Sequence, residues 1–91
     1  MNTALSELEL RDMEARAAAT QPGPWKSWVE GRDFLSGSNF IQTGEGVDRG
    51  ADIELTGATV AAQDFMAAAR QDIPRLIAEV RRLHALLNQT N

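Results

Sequence analysis

Acidic side chains in the middle of the chain are the first candidates for chemistry. Five of them could supply oxygen ligands or an acid–base pair: Glu30, Asp33, Asp48, Asp52 and Glu54. Carboxylates that converge from fixed positions bind Mg²⁺ or Ca²⁺, and a suitable pair acts as general acid and base. No EF-hand spacing is present, and alternation along a strand places Asp52 and Glu54 on one solvated face. We therefore expect no metal and no cofactor, with a small metal-dependent hydrolase as the enzymatic alternative.

Few residues in this sequence could support nucleophilic catalysis. His84 is the single histidine, and as a general base it needs an orienting carboxylate and a nucleophile beside it. Ser36 and Ser38 lie in a predicted turn that lacks a nucleophile-elbow pattern. The absence of cysteine excludes a thiolate metal site, a disulfide and a cysteine nucleophile. We expect a non-enzymatic protein without catalytic residues.

A glycine-rich segment between Gly44 and Gly50 invites comparison with phosphate-binding loops. A dinucleotide-binding loop needs G-x-G-x-x-G after a strand and at the start of a helix, whereas here the glycine spacing differs and a predicted strand follows. No G-K-[ST] sequence is present either. The segment therefore predicts a mobile hairpin loop.

Size and charge bound the class of protein. The chain has 91 residues, 43% hydrophobic and 24% charged, which indicates one small globular domain. Because its net charge is −4 and it lacks a basic face, we expect no nucleic-acid partner. No apolar run approaches the roughly 20 residues that span a bilayer, and no basic-then-apolar leader opens the sequence. These features predict no membrane association and a cytoplasmic location.

The first third of the chain predicts one helix, over about residues 6–19. With Ser6 as N-cap, Glu9 falls at the third helical position and completes a capping box. Pro22 and Pro24 end the helix, because proline lacks an N–H and restricts the residue before it.

The middle of the chain predicts three short strands, about residues 25–30, 39–43 and 52–56, separated by glycine-rich turns. Short consecutive strands favour an antiparallel meander.

The last third predicts helices over about 60–70 and 73–88, with a break or sharp kink before Pro74; one long helix kinked near Arg70 is the alternative. The fold class is thus α+β, with the helical tail packed on one sheet face.

Two segments resemble a group of small bacterial and phage-borne proteins, some of which are named Ea22-like. Thr20–Trp25 resembles a TPGPW element after a short N-terminal helix, although Gln21 departs from it, and Gln63–Leu83 resembles the group's C-terminal helix. The resemblance implies a helix, a small sheet and a helical tail encoded on mobile or accessory genes. It implies no activity, since the group has no assigned catalytic residues.

Two surfaces are candidates for protein contacts. Alternation along the first strand places Lys26, Trp28 and Glu30 on one face, with Phe40 across the strand pair, and an exposed tryptophan is a common interface anchor. The tail carries an apolar stripe that predicts a homodimer interface, formed by Ile73, Ile77, Val80, Leu83 and Leu87. We expect an interaction or regulatory protein, and alternatively an acidic immunity or counter-defence protein that neutralises a basic partner.

Overall fold

The computed structural model describes residues 4–89. Helix α1 spans Glu7–Ala19, strands β1 and β2 span Trp25–Trp28 and Phe40–Thr43, a 3-10 turn spans Gly46–Asp48, and helix α2 spans Val60–Gln89. These elements fall into two compact units. Residues 4–20 and 72–89 form the helical unit, and Gln21–Gln71 form the sheet unit.

Helix α1 begins where the capping pattern predicts. The Ser6 hydroxyl accepts a hydrogen bond from the Glu9 N–H, and the Glu9 carboxylate accepts one from the Ser6 N–H. This reciprocal pair satisfies two backbone donors that the first turn of a helix leaves unpaired. The predicted N-terminal helix is therefore confirmed.

Helix α2 is continuous, which corrects the predicted division into helices 60–70 and 73–88. Pro74 lies inside this 30-residue helix. Proline removes one backbone hydrogen bond, to the carbonyl of Arg70, and crowds that carbonyl. Good helix formers such as Ala67 and Leu76 lie on both sides of the proline, and their turns sustain the helix across it.

The helical unit has buried apolar side chains and an ion-pair network between its two helices. Leu10 of α1 and Ile77 of α2 are both buried. The Arg81 guanidinium donates to Glu7 at 2.9 Å and to Glu14 at 2.7 Å. Glu7 and Glu14 lie two turns apart on α1, on the face that carries Leu10. The inward faces of both helices are thereby defined.

The sheet has two antiparallel strands, with Trp25 opposite Thr43 and Trp28 opposite Phe40. Strand β1 ends at Trp28, two residues earlier than predicted, because the chain turns at Val29. The Val29 carbonyl accepts hydrogen bonds from the N–H groups of Arg32 and Asp33, and its own N–H donates to the Asp33 carboxylate.

The predicted third strand over 52–56 is wrong. Of that segment only Ile53 pairs with the sheet, exchanging two backbone hydrogen bonds of 2.8 and 2.9 Å with Ile41. The chain leaves the sheet at once, because Thr56 and Gly57 form a turn in which Gly57 has a φ of +82°. Glycine adopts this left-handed conformation without the steric penalty that other residues meet.

Helix α2 contacts one face of the sheet through two glutamines that lie two turns apart, with buried Ala67 between them. Gln63 Nε2 donates to Ser27 Oγ at 2.8 Å and to the Trp28 carbonyl at 3.1 Å. The Gln71 amide accepts from the Trp25 N–H at 2.7 Å and donates to the Trp25 carbonyl at 3.2 Å. The first turns of α2 therefore contact the face that carries Trp25 and Ser27.

The segment from Gly44 to Gly50, predicted to be a mobile hairpin loop, forms a hydrogen-bonded turn. The Gly50 N–H donates to the Thr43 carbonyl, and the Arg49 N–H donates to the Gly46 carbonyl. Thr43 is fully buried, and its hydroxyl lies 2.5 Å from the Gln21 amide and 2.7 Å from the Ala51 carbonyl.

We predict that Gly50→Ala destabilises the protein by about 1–3 kcal/mol in urea unfolding, because overpacking a filled site costs this much. A Cβ at Gly50 would lie 2.6 Å from the Gln21 amide oxygen and 2.7 Å from the Thr43 hydroxyl. Gly23→Ala is the matched control, since a Cβ there meets nothing closer than 3.6 Å. Equal stability of the two variants would contradict this account of the turn.

We also predict an acid-dependent loss of stability at Glu7. The hydrogen bond from Arg81 holds the pKa of the Glu7 carboxyl below its ordinary value. A lowered folded-state pKa stabilises the protein above the unfolded-state pKa, and this contribution disappears as pH falls through the folded-state pKa. The melting temperature of the wild type should exceed that of Glu7→Gln at pH 7, and the difference should shrink below about pH 4.5. A difference in melting temperature that stayed constant across this pH range would contradict the pairing of Glu7 with Arg81.

Candidate functional site

The second face of the sheet carries most of the residues predicted to contact a partner. The register pairs Lys26 with Gln42 and Trp28 with Phe40, and alternation directs these four side chains to the face opposite Trp25 and Ser27. Lys26 is exposed, whereas Trp28, Phe40 and Gln42 are half-buried. The predicted alternation along β1 therefore holds within the strand.

An aromatic cluster forms on this face. The Trp28 and Phe40 rings are stacked, with centroids 6.3 Å apart and planes inclined by 17°. Phe34, from the loop after β1, packs at 5.9 Å against Phe40 in a tilted arrangement. The Lys26 ammonium lies 4.2 Å from the Trp28 ring centroid, within the range of a cation–π contact. We call Lys26, Trp28, Phe34 and Phe40 the aromatic face.

Polar contacts fix the orientation of the Trp28 ring. Its indole N–H donates to the Gln42 side-chain oxygen at 3.1 Å, and the Gln42 amide nitrogen donates to the Gly44 carbonyl at 3.1 Å. A tryptophan whose N–H is satisfied inside the protein presents its ring edge without an unpaired donor. These two hydrogen bonds therefore hold the Trp28 ring in one orientation.

Glu30, predicted for the same face, instead organises the loop between the strands. Its carboxylate accepts a hydrogen bond from the Gly37 N–H at 3.0 Å, and its own N–H donates to the Asn39 side chain at 2.8 Å. Sequence reasoning missed Phe34, because a residue inside a turn carries no strand alternation. The close approach of the Phe34 ring to Gly37, which has a φ of +137°, is visible only in three dimensions.

The acidic residues proposed as metal ligands have different surroundings, because Asp33 and Asp52 form ion pairs whereas Asp48 and Glu54 form none within residues 4–89. Asp33 and Asp64 both accept from the Arg32 guanidinium, at 3.0 and 2.9 Å, and its hydrogen bonds lower the pKa of each carboxyl. Asp52 pairs with Arg49 at 2.7 Å. Within residues 4–89, no group of three or more histidine, aspartate or glutamate residues is placed to hold a metal ion.

The remaining catalytic candidates are divided between the units, with Ser36 and Ser38 in the sheet unit and His84 in the helical unit. Ser36 and Ser38 are exposed in the loop between the strands, and His84 is half-buried on α2.

No helix in the described part of the chain is long and apolar enough to cross a membrane.

The predicted dimer residues on α2 divide into two groups. Ile77 is only 4% exposed, so packing within the chain already occupies it, and Val80 is half-buried. Ile73, Leu83 and Leu87 are exposed. The sequence pattern therefore mixes one inward-facing residue with an outward-facing stripe.

No family model, no curated protein and no solved structure matches this chain.

We predict that Phe40→Ala loosens the aromatic face. In a Trp25→Phe background only Trp28 fluoresces, and its emission should shift to longer wavelength once the stacked ring is removed. Stability should fall by about 2 kcal/mol, less than for a fully buried phenylalanine. Leu35→Ala is the control, because Leu35 is 97% exposed and its loss should change neither quantity. Unchanged Trp28 emission in Phe40→Ala would contradict the stacking geometry.

Proposed function

We propose that this chain is a non-enzymatic interaction or regulatory protein that works in the cytoplasm by protein–protein contact through its aromatic face. The observation that carries the proposal is the ring cluster of Trp28, Phe34 and Phe40 beside the Lys26 ammonium, on the sheet face opposite α2. Tryptophan dominates binding energy at interfaces when it is held rigidly and loses water on binding.

The chemistry of the face defines the partner surface. The stacked rings favour an apolar or aromatic side chain, and Lys26 at the rim favours a carboxylate next to it. The Trp28 indole N–H and the Glu30 carboxylate are already hydrogen-bonded within the chain, so they stabilise the face and leave the contact to the rings and to Lys26.

A second candidate is the neutralisation of a basic partner. Both arginines of the sheet unit's loops are held by carboxylates of the same chain, Arg32 by Asp64 and Arg49 by Asp52. Glu45, Asp48 and Glu54 are exposed and make no ion pair within residues 4–89. This surface would bind a basic protein with a strong dependence on salt.

Site-specific photocrosslinking separates these two proposals. A photoreactive phenylalanine analogue is placed at position 26 on the aromatic face, at position 47 in the acidic turn, or at position 18 on exposed α1. In cells that carry the native gene, we expect a discrete adduct with another protein from position 26. The adduct should fall at least tenfold when Trp28→Ala is added, because interface tryptophans contribute this much or more.

Position 18 is the control, and circular dichroism checks that each variant is folded. An adduct from position 47 alone, with lower yield at higher salt, would overturn the aromatic proposal in favour of the acidic one. No adduct from position 26 or position 47 would overturn both.

A further inference from the structure

A stripe of apolar side chains on α2 remains exposed within the helical unit. Ile73 is 41% exposed, Leu76 58% and Leu83 44%, and Val80 is half-buried between them. We call these four residues the outer stripe. Monomeric proteins seldom expose several large apolar side chains side by side, and such patches mark contact surfaces.

The spacing of the outer stripe matches helix–helix packing. Its residues recur at intervals of three, four and three, which places them on one side of a continuous helix. Pro74 does not interrupt this face because α2 continues through it. The neighbouring inward face, with Ile77 and Arg81, is already engaged within the helical unit.

A charged edge runs along the other side of the outer stripe. Asp72, Arg75, Glu79 and Arg82 are all exposed, and their charges alternate along the helix. Together with Leu76 and Ala78 they line an open depression of about 760 Å³. This depression offers room for side chains of a second helix beside the stripe.

The order of these charges is self-complementary when the helix is reversed. In an antiparallel pair, Asp72 of one copy lies near Arg82 of the other, and Arg75 lies near Glu79, beside the exposed Arg82–Glu79 ion pair of 2.6 Å that each copy makes within its own helix. A parallel, in-register pair would oppose like charges at all four positions. The charged edge therefore favours an antiparallel second copy.

The outer stripe is compatible with the same reversal. An antiparallel pair that sets Ile73 against Leu83 also sets Leu76 against Val80. The centre of this pairing is Ala78, and the centre of the charge pairing is Ile77. The two centres differ by one residue, which offsets each charged pair by two residues, about 3 Å along a helix, and arginine side chains readily span this distance.

We propose that this protein forms a two-fold symmetric dimer in which the outer stripes of two α2 helices pack antiparallel, with their charged edges side by side. The dimer stands independently of the aromatic face, whose residues take no part in it. Because the interface is isologous, each contact occurs twice.

The first test measures dimerisation by sedimentation equilibrium. The wild type should be a dimer, and Leu76→Glu should raise its dissociation constant at least about tenfold, because it places an unpaired carboxylate in the centre of the interface. Ala85→Glu adds the same charge to an exposed position on the opposite side of α2 and should leave the dissociation constant unchanged. A monomeric wild type, or equal effects of the two variants, would overturn the proposal.

The second test determines orientation by disulfide crosslinking, which is clean because the native chain has no cysteine. Single variants Ile73→Cys and Leu83→Cys are oxidised separately and as a mixture. In the antiparallel dimer identical positions lie about 15 Å apart along the axis, too far for a disulfide, whereas residue 73 faces residue 83. We expect a covalent dimer only in the mixture. If each variant formed a covalent dimer on its own and the mixture gave no additional dimer that joins residue 73 to residue 83, the helices would be parallel. That result would overturn the proposal.

Discussion

The sheet depends on side-chain amides of α2. These amides form hydrogen bonds with groups that two strands alone would leave unpaired. Two short strands are marginal in water, since each has an outer edge of unpaired backbone groups and two faces to cover. Gln71 accepts and donates at Trp25 as a third strand would, and Gln63 reaches Ser27 and the Trp28 carbonyl from the same face of α2. This arrangement lets one helix replace both a strand and a covering layer.

Polar contacts also organise the base of the hairpin. The Gln21 carbonyl accepts from the Trp25 indole at 3.2 Å and from Arg70 at 3.0 Å, while its side chain contacts the buried Thr43 hydroxyl. Buried polar groups stabilise a fold only when their partners are present, and within the described residues no buried side-chain nitrogen or oxygen lacks one. The specificity of this small unit therefore comes largely from hydrogen bonds, alongside its few buried apolar side chains.

The sequence predicts local features better than those that depend on partners distant along the chain. The capping box at Ser6 and the alternation of Trp25 to Trp28 are local, and both appear in the structure. The segment around Ile53 has the composition of a strand, yet only one residue pairs, because the chain turns at Gly57. Position 74 shows the opposite error: a proline that predicts a break is tolerated when the turns on both sides favour helix. Phe34 joins the aromatic face from a turn, where no periodic pattern marks it.

The backbone contacts of Trp25 and Ile41 have a consequence for aggregation. These residues lie on the two outward-facing borders of the hairpin, and each already exchanges a donor and an acceptor, Trp25 with Gln71 and Ile41 with Ile53. An exposed border normally offers a template on which a foreign strand can extend the sheet toward a fibril. In this hairpin both edges are already paired at these positions, one by a helix side chain and the other by a single residue. Neither partner offers a strand that a foreign strand could extend.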